Sequence, residues 1–469
     1  MERFSMTIGG QQVAGEQASK VVNPATGEEF ALAPSCTQDE LDRAMRAARE
    51  AQPAWAADED ARREALRAAA KAVSSAASRL GGLVTAEQGK PLALAIGEAY
   101  ASGGSFRHYA EMELVPQVLQ DDKHGYAELA RKPHGVVAAI TPWNFPVAIA
   151  AAKLAPALRA GNTVVLKPSP HTPLATLMLG QLLSAALPAG VVNVVSGGDD
   201  IGAAMVTHPV TAQISFTGSI EAGRRVAAAA GTDIKRYVLE LGGNDPGIVL
   251  DDADPDEMAE RLFWDSFANN GQACLLIKRL YVPQRLYGRV VDALADRARA
   301  ARVGVPTDKG VQLGPLANRP QFDRVRELVH AAVTGGATVA AGGKALGEPG
   351  FFYAPTILSD VDDGTPIVDE EQFGPVLPVV SYVDLDDAVR RANASHYGLG
   401  GSVWSADPSR AWDVAQRLEC GSVWVNAHAV LRPDQPIAGL KCSGIGVENG
   451  PLGLAEYTAL QVRHRPPRR

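Results

Sequence analysis

One cysteine lies in a stretch of sequence where a thiol could do chemistry. Cys274 belongs to the segment 267–281, which reads FANNGQACLLIKRLY. A thiolate can attack a carbonyl carbon and then carry the acyl group as a thioester, provided that the pKa of the thiol is lowered. Free cysteines are more often buried structural residues, so the surroundings of Cys274 decide between the two interpretations.

A helix and a strand are predicted on either side of this cysteine. Asp254 and Pro255 are typical of a helix cap and a first helical turn, and apolar residues then recur every four positions. Asn269-Asn270-Gly271 predicts the end of that helix, and a short strand is predicted over 277–282. Cys274 therefore lies in a tight helix-to-strand connection that can present a thiol.

A carboxylate is the second candidate for chemistry. Glu240 ends a short apolar strand, runs into the turn Gly242-Gly243, and precedes Cys274 by 34 residues. That spacing leaves room for one strand and one helix, so both residues can face a common site. In isolation, a carboxylate at a strand end is more often simply exposed to solvent.

Two stretches strongly resemble the active-site signatures of the aldehyde dehydrogenase superfamily. They are Leu239-Glu240-Leu241-Gly242-Gly243 and Gly271-Gln272-Ala273-Cys274. Further stretches that resemble the family follow in its order: TPWNFP at 141–146, KPSP at 167–170, FTGS at 216–219, EQFGP at 371–375 and SGIG at 443–446. The resemblance covers nearly the whole chain. It implies an α/β fold with two doubly wound α/β domains, one for the cofactor and one for catalysis, plus a small β oligomerisation element.

The expected domain boundaries follow from this resemblance together with the element pattern. We expect a dinucleotide-binding domain at 1–115 and 135–241, a catalytic domain at 242–440, and oligomerisation or bridging segments at 116–134 and 441–469. Strand and helix patterns alternate from 135 to 241, which independently predicts a parallel doubly wound sheet. Such sheets bind ligands beyond the carboxyl ends of their strands.

The resemblance also implies a reaction. Attack by Cys274 on an aldehyde would give a thiohemiacetal that expels hydride to a nicotinamide and leaves a thioester. Asn144 and the Cys274 N–H would hold the oxyanion, and Glu240 would activate the hydrolytic water. Without the family, an Asx turn before Pro146 explains Asn144 equally well. Lys153 and Glu448 match a proton relay, and an ordinary salt bridge is an equal alternative.

NAD is the cofactor that the resemblance implies, and the use of NADP stays open. Lys167 matches an adenine-ribose contact, while Glu371 and Phe373 match residues that hold the nicotinamide ribose and ring. Pro170 stands where many NAD-specific members carry a glutamate that repels a 2′-phosphate. Ser219 is expected at a helix N-terminus, where its hydroxyl and the free backbone amides could hold the pyrophosphate of the cofactor, although taken alone it is more typical of a plain helix cap. The other expected cofactor contacts are Ile140, Thr141, Pro142, Trp143, Gly202, Phe216, Thr217, Gly218 and Leu241.

Departures from the family pattern indicate a wide, apolar substrate pocket. Ala152 replaces a bulky aromatic residue of some members, or an arginine of some semialdehyde-oxidising members, and Ile437 replaces the more usual phenylalanine. These changes predict a bulky aliphatic or aromatic aldehyde. Arg432 keeps open a substrate that carries a carboxylate. The expected pocket residues are Phe145, Ala152, Ala273, Leu275, Arg432 and Ile437.

Composition and exposed edges restrict the partners. A net charge of −8 argues against nucleic-acid and anionic-membrane partners, and no apolar stretch is long enough to span a membrane. Four dispersed cysteines, without a disulfide or metal-binding spacing, predict a reducing compartment, the cytoplasm, and no metal. The segments 118–131 and 458–462 match the hairpin and C-terminal strand that pair subunits in the family, so the resemblance implies a homodimer or homotetramer. Both segments are polar and would otherwise be exposed strand edges, which usually need a partner.

Three functions stay open at this point. The first is a hydrolytic NAD(P)-dependent aldehyde dehydrogenase. The second is a CoA-acylating semialdehyde dehydrogenase of the same fold, which passes the acyl group to a free thiol, and the retained Glu240 argues against it. The third is a non-catalytic binding protein on this fold, which would not require Cys274, Glu240 and Asn144 together. Turnover of simple aldehydes without CoA separates the three.

Overall fold

A computed structural model of the chain describes residues 2–347 and 349–467. Met1, Glu348, Arg468 and Arg469, which fall within the predicted domain ranges, lie outside the described residues. Within the described ranges, no helix is both long enough and apolar enough to cross a membrane.

Short strands and then long helices form the N-terminal part. The strands are β1 (Glu2–Arg3), β2 (Met6–Ile8), β3 (Gln11–Val13), β4 (Gln17–Asn23) and β5 (Glu28–Ser35). The helices are α1 (Gln38–Ala57), α2 (Glu59–Ser75), α3 (Ala77–Gln88) and α4 (Leu92–Glu111). A capping box begins α1, because Thr37 accepts from the Glu40 N–H while the Glu40 side chain accepts from the Thr37 N–H.

Strands and helices alternate through the next part, as predicted. The strands are β8 (Val136–Ile140), β9 (Thr163–Lys167), β10 (Val192–Val194), β11 (Thr211–Thr217) and β12 (Arg236–Glu240). The helices are α5 (Pro146–Arg159), α6 (Leu174–Ser184), α7 (Asp199–Thr207) and α8 (Ile220–Thr232). All five strands run parallel in the order β12-β11-β8-β9-β10. This confirms the parallel doubly wound sheet.

The order of these strands creates a switch point between β8 and β11. The chain moves outward from β8 to β9 and β10, then returns to β11 on the other side of β8. Ligands bind at such points in open α/β sheets. Antiparallel strands that the sequence did not predict widen the sheet at its edges: β2 and β3 beside β10, and β20 (Gly444–Ile445) beside β12.

A second α/β layer carries the cysteine. Its strands are β13 (Asp245–Val249), β14 (Ile277–Pro283), β15 (Thr338–Ala341), β16 (Thr356–Val361), β17 (Val376–Tyr382), β18 (Gly400–Trp404) and β19 (Ser422–Val425). Its helices are α9 (Pro255–Phe267), α10 (Tyr287–Ala300), α11 (Arg319–Thr334), α12 (Pro366–Asp369), α13 (Leu385–Asn393) and α14 (Pro408–Ala415). The sheet order is β15-β16-β17-β14-β13-β18-β19, and β15 alone is antiparallel within the described sheet.

A small antiparallel sheet joins the two segments that were expected at exposed edges. It consists of β6 (Gln117–Asp122), β7 (Gly125–Pro133) and β21 (Thr458–Arg465), in the order β21-β7-β6, and α15 (Gly450–Glu456) leads into β21. The two predicted polar edges therefore pair with each other inside one chain. The division into domains remains a prediction.

Each large sheet is covered by its own apolar core. In the first core Leu154, Leu166 and Val194 are fully buried between the sheet and its helices. The seven-stranded sheet has apolar residues packed on both faces: Ile248 is fully buried on one face and Leu280 on the other. The carboxyl ends of β8, β11 and β12 and the loop before β14 lie between these cores.

Candidate active site

The connection that carries Cys274 has an unusual backbone. Helix α9 ends at Phe267, and a 3-10 turn follows in which Asn269 and Asn270 have φ angles of 50° and 61°. Asparagine is one of the few residues with a side chain that tolerate this left-handed region. Cys274 lies three residues after the end of this turn, and β14 begins three residues after Cys274. This confirms the predicted helix-to-strand connection.

Hydrogen bonds fix the shape of this connection from inside. The side chain of Gln272 donates to the Asn269 carbonyl oxygen at 3.0 Å and accepts from the Ala317 N–H at 2.9 Å. The Lys278 ammonium, fully buried in β14, donates to the Gly271 carbonyl oxygen. The backbone around Cys274 is therefore held by two buried polar side chains, of which Gln272 belongs to the recognised motif and Lys278 does not.

Asn144 joins the end of β8 to this connection. Its Nδ2 donates to the Gln272 carbonyl oxygen at 3.0 Å, and its own carbonyl oxygen accepts from Asn269 Nδ2 at 3.1 Å. Asn144 Oδ1 is buried and has no hydrogen-bond partner among the described residues, so the Asx-turn interpretation is wrong. The side-chain amide therefore lies beside Gln272, two positions before Cys274. One of its two N–H groups is not used by the hydrogen bond to Gln272.

The surroundings of Cys274 disfavour a resting thiolate. Although the residue keeps partial exposure, burial of the sulfur raises the pKa of the Cys274 thiol above its ordinary value. Negative charge on Glu371, Glu240 and Asp245 acts in the same direction. The thiol is therefore neutral at neutral pH in the protein alone, and its ionisation requires a proton acceptor.

Glu240 is buried rather than exposed, which overturns the simpler interpretation of a strand-end carboxylate. The residue is 8% exposed, and its Oε1 finds no hydrogen-bond partner in the part of the chain that the structure describes. Burial, reinforced by the charge of Glu448 and opposed by that of Lys153, raises the pKa of Glu240 well above the ordinary carboxyl value. Such a carboxylate is a stronger base than an exposed one.

Lys153 and Glu448 form an ion pair close to Glu240. Lys153 Nζ lies 2.5 Å from Glu448 Oε1 and donates to Ser215 Oγ at 3.2 Å. The hydroxyls of Ser215 and Tyr457 lie 2.9 Å apart, which extends this buried network toward β21. The structure thus brings together the two residues that the sequence paired, in a contact that suits a salt bridge and a relay equally.

The switch point between β8 and β11 gathers the expected cofactor residues. Ile140 pairs with Phe216 across the strands, and the backbone of Gly202 in α7 faces the side chains of Ile140 and Lys167. The hydroxyls of Thr141 and Thr217, at the ends of these strands, are buried and accept or donate no hydrogen bond within the described ranges. Such orphaned groups suit a polar ligand that crosses the strand ends.

The remaining residues of this crevice have defined local roles. Ser219 caps α8 by accepting from the Ala222 N–H at 3.2 Å, as the plain-cap interpretation predicts. The Gly218 N–H donates to the Glu240 carbonyl oxygen at 3.1 Å, which ties the crevice to the base. Burial lowers the pKa of Lys167 to about 8. Pro142 and Leu241 continue β8 and β12 into this crevice, and Pro170 is exposed three residues after Lys167.

Glu371 and Phe373 approach the crevice from the second sheet. Glu371 Oε1 accepts from the Gly243 N–H at 3.2 Å, and a side chain at Gly242 would collide with the Glu371 carboxyl. A side chain at Gly243 would instead overlap the Cys274 carbonyl oxygen, so two different contacts explain the two glycines after Leu241. The Phe373 ring meets Trp143 edge to face, with ring centroids 5.3 Å apart. Burial raises the pKa of Glu371 to about 8.

The expected substrate residues fall into two groups. Ala152, Ala273 and Phe145 are partly buried, Leu275 is buried, and Ile437 pairs through its backbone with Glu448. Arg432 differs from these, because its exposed guanidinium binds the Asp434 carboxylate through two hydrogen bonds of 3.0 and 3.1 Å. The structure therefore does not favour Arg432 as the partner of a substrate carboxylate.

Several buried polar residues around the site carried no recognisable signal in the sequence. Besides Lys278, they include Lys90 and Glu98, which contact the turn after Asn144. They also include His428, whose Nε2 lies 3.2 Å from Asp245 Oδ2. Lysines, glutamates and histidines are normally surface residues, and nothing local distinguishes these. Asp245, the partner of His428, is different. The sequence could have suggested it, because it lies two residues after the motif that contains Glu240.

Comparisons with known proteins agree along the whole chain. The model of the aldehyde dehydrogenase family matches residues 12–462. The chain is 40% identical to geranial dehydrogenase of Castellaniella defragrans over 96% of both chains. It is 38% identical to betaine aldehyde dehydrogenase of Brucella anthropi, covering 98% of this chain and 96% of that protein. The NAD⁺ complex of aldehyde dehydrogenase from Bacillus cereus superposes with a TM-score of 0.96 at 34% identity, over 99% of this chain and 97% of that one.

The turn before Cys274 gives a first testable prediction. Gly271 has a φ of 73°, and a side chain there would overlap the Gly374 carbonyl oxygen. Gly364 has a φ of 90° but open space around it. Gly364→Ala should lower the free energy of unfolding by the left-handed strain alone, about 1–2 kcal/mol. Gly271→Ala should lower it clearly more in denaturant unfolding, and equal losses in the two variants would contradict this.

Proposed function

Because this chain belongs to the aldehyde dehydrogenase family, we propose that it oxidises an aldehyde to the acid with NAD(P) through a covalent adduct on Cys274. The hydrogen bond from Asn144 Nδ2 to the Gln272 carbonyl oxygen carries this proposal, because it joins the cofactor crevice to the cysteine loop. Glu240, whose Oε1 has no hydrogen-bond partner among the described residues, supplies the base. Reduced-cofactor absorbance with a panel of aldehydes, in the absence of CoA, tests the proposal.

Acylation begins with removal of the proton from Cys274. Glu240 in its ionised form is the proton acceptor, and its raised pKa makes that carboxylate a stronger base. The thiolate then attacks the aldehyde, and the oxygen becomes an oxyanion held by the free N–H of Asn144 and the Cys274 backbone N–H. Losing one such donor typically costs a factor of about 10²–10³ in rate. When bound, NAD(P) accepts the hydride that the adduct expels.

Deacylation requires water and a base. Glu240 takes a proton from water that attacks the thioester, which releases the acid and restores the thiol. The charge of Lys153 lowers the pKa of Glu240, while that of Glu448 raises it. We propose that this ion pair passes the proton taken from Cys274 away from Glu240, so that the carboxylate can accept the proton of water and then return it to the leaving thiolate. The contact of Lys153 with Ser215 supports a route through buried hydroxyls.

The residues at the switch point suit the cofactor. The buried hydroxyls of Thr141 and Thr217 offer hydrogen bonds, and the ammonium of Lys167 offers charge for the adenine ribose. Glu371 and Phe373 would hold the nicotinamide side from the second sheet. We propose that NAD is preferred and NADP is also used, because Pro170 brings no carboxylate that would repel a 2′-phosphate.

We propose that the substrate is a bulky aliphatic or aromatic aldehyde. Ala152 and Ile437 leave space where larger or charged side chains would restrict it, and Arg432 is engaged with Asp434. The relative named for geranial, an apolar aldehyde, supports this class of substrate. The relative named for betaine aldehyde indicates the alternative, a small cationic aldehyde. A panel with geranial, benzaldehyde and betaine aldehyde distinguishes them by kcat/KM.

We further propose a homodimer or homotetramer in a reducing compartment, the cytoplasm. The sheet β21-β7-β6 supports association, because Val118, Leu119, Leu460 and Val462 each leave about half or more of their surface exposed on it. All four cysteines are free thiols in the structure, which supports the compartment. Light scattering of the purified protein measures the assembly.

The nucleophile is tested by serine substitutions. Cys274→Ser should abolish turnover while cofactor still binds, because a serine hydroxyl at this position is not ionised by a carboxylate. Cys36→Ser, Cys420→Ser and Cys442→Ser are the matched controls and should stay within a few-fold of the wild type. Absorbance of the reduced cofactor and binding calorimetry measure the two properties. Normal turnover in Cys274→Ser would end the proposal.

Cofactor choice is tested at Pro170. Pro170→Glu places a carboxylate three residues after Lys167, and its charge should repel the 2′-phosphate of NADP. We expect the ratio of kcat/KM for NAD over NADP to rise at least tenfold. Pro170→Gln has the same size without the charge and should change the ratio much less. If NADP is used equally well by the glutamate variant, Pro170 does not lie beside the adenine ribose.

The two half-reactions are separated at Glu240. Glu240→Gln keeps size and hydrogen bonding but cannot accept a proton, and general-base assistance is typically worth about 10²–10⁴ in rate. Because Glu240 also takes the thiol proton, mixing the variant with aldehyde and NAD should give a burst near one NADH per active site that forms more slowly than the first turnover of the wild type, followed by still slower turnover. Mass spectrometry should find the acyl group on the peptide that contains Cys274. Wild-type turnover with neither burst nor adduct would show that another residue is the base.

A further inference from the structure

A buried ion pair contacts the turn that contains Asn144. Lys90 lies in the link between α3 and α4, and Glu98 lies in α4. Their charged groups are in contact, and their side chains are only 2% and 3% exposed. Neither residue belongs to a motif of the family resemblance described above. Both reach from the N-terminal helices into the turn that follows β8.

Glu98 caps the helix that follows Asn144. Its Oε1 accepts from the N–H groups of Val147 and Ala148, both at 3.1 Å. Helix α5 begins after Phe145 without a capping side chain or an acidic residue of its own in the first turn. A helix start leaves backbone N–H groups unsatisfied and attracts negative charge. Glu98 therefore supplies, from another helix, the cap that this helix does not carry.

Lys90 holds the two residues before that helix. Its Nζ donates to the Asn144 carbonyl oxygen at 3.1 Å and lies 3.6 Å from the centroid of the Phe145 ring. The pair thus contacts four of the five residues from Asn144 to Ala148, three through the backbone and Phe145 through its ring. Burial lowers the pKa of the Lys90 ammonium, and the charge of Glu98 opposes this effect.

Stability alone is a poor reason for such a pair. Transferring two charges out of water carries a large desolvation penalty, and buried ion pairs can often be replaced by neutral side chains of similar volume without loss of stability. The contacts of this pair are concentrated on the turn that presents Asn144. We propose that Lys90 and Glu98 are positioning residues that hold the Asn144 amide in line with the oxyanion formed at Cys274. This inference rests on the proposed function of Asn144.

The consequence for the reaction is specific. Without Lys90, the Asn144 carbonyl oxygen retains only the hydrogen bond from Asn269, and Phe145 loses its cation. The start of α5 then shifts, and the Asn144 amide no longer meets the oxyanion at its best angle. A misplacement of about 1 Å at a reacting group can cost about 10² in rate. Residues that bind the cofactor on β9 and β11 keep their contacts.

The main experiment removes both charges at once. Lys90→Met/Glu98→Gln keeps the side-chain lengths and leaves no unpaired buried charge. We expect kcat to fall at least tenfold, while KM for NAD stays within twofold. Glu87→Gln is the matched control, because the buried Glu87 carboxyl caps α6 at Leu174 and Ala175 without contacting Asn144. Its kcat should stay within twofold, and a wild-type kcat in the double variant would overturn the inference.

A second measurement asks whether the effect passes through Asn144. In an Asn144→Ala background, Lys90→Met/Glu98→Gln should change kcat by less than twofold, because the group that the pair positions is gone. The same tenfold loss in both backgrounds would mean that the pair acts elsewhere. Glu98→Gln alone keeps Lys90 and an oxygen acceptor for α5, so its kcat should fall less. It serves as the readout if the double variant does not fold, and a loss larger than that of Asn144→Ala would overturn the inference.

A third measurement needs no substrate. Amide hydrogen exchange at Val147 and Ala148 should be faster in Lys90→Met/Glu98→Gln, or in Glu98→Gln, and unchanged in Glu87→Gln. If the wild type oxidises no aldehyde, the proposed function fails while this exchange still tests the pair. Exchange equal to that of the wild type would overturn the positioning role whether or not the protein is active.

Discussion

The structure depends on one bridge between its two sheets. Asn144 leaves the end of β8 and meets the loop before β14 through one hydrogen bond from its side chain and one to its backbone. Because this loop contains two asparagines in left-handed backbone, its shape is strained unless neighbours hold it. The bridge thus fixes the cysteine relative to the crevice at the switch point, and neither sheet alone would form the site.

Electrostatics around the cysteine explain why the site needs a base. Three carboxyl groups and burial all raise the pKa of the Cys274 thiol. Burial also raises the pKa of Glu240. When Glu240 is ionised, transfer of the thiol proton to its carboxylate moves one negative charge within the site and adds no second charge to the interior, which costs less than ionising the thiol alone. The charge of Lys153 lowers the pKa of Glu240. Because Lys153 also pairs with Glu448, it connects the base to this ion pair.

Tight backbone approaches explain the glycines of the motifs. Gly242 leaves room for the Glu371 carboxyl, Gly243 for the Cys274 carbonyl oxygen, and Gly271 for the Gly374 carbonyl oxygen. In each case a side chain would push apart segments that come from different parts of the chain. These glycines are therefore required by close contacts between distant segments of the chain more than by the local turn in which they occur.

The sequence by itself determined the elements and the motifs. Asp254-Pro255 predicted the start of α9 and the Asn-Asn-Gly stop its end, because caps and left-handed residues act locally. The alternation of strand and helix patterns predicted the parallel sheet, because these patterns also depend on residues that are close in sequence. The edge strands β2, β3 and β20 are two or three residues long and give no periodic signal, so only pairing in the fold forms them. Tertiary structure alone decided the pKa directions of Cys274 and Glu240, the engagement of Arg432 by Asp434, and the burial of Lys90, Glu98 and Lys278. These properties depend on desolvation and on charges remote in sequence, which no local pattern encodes.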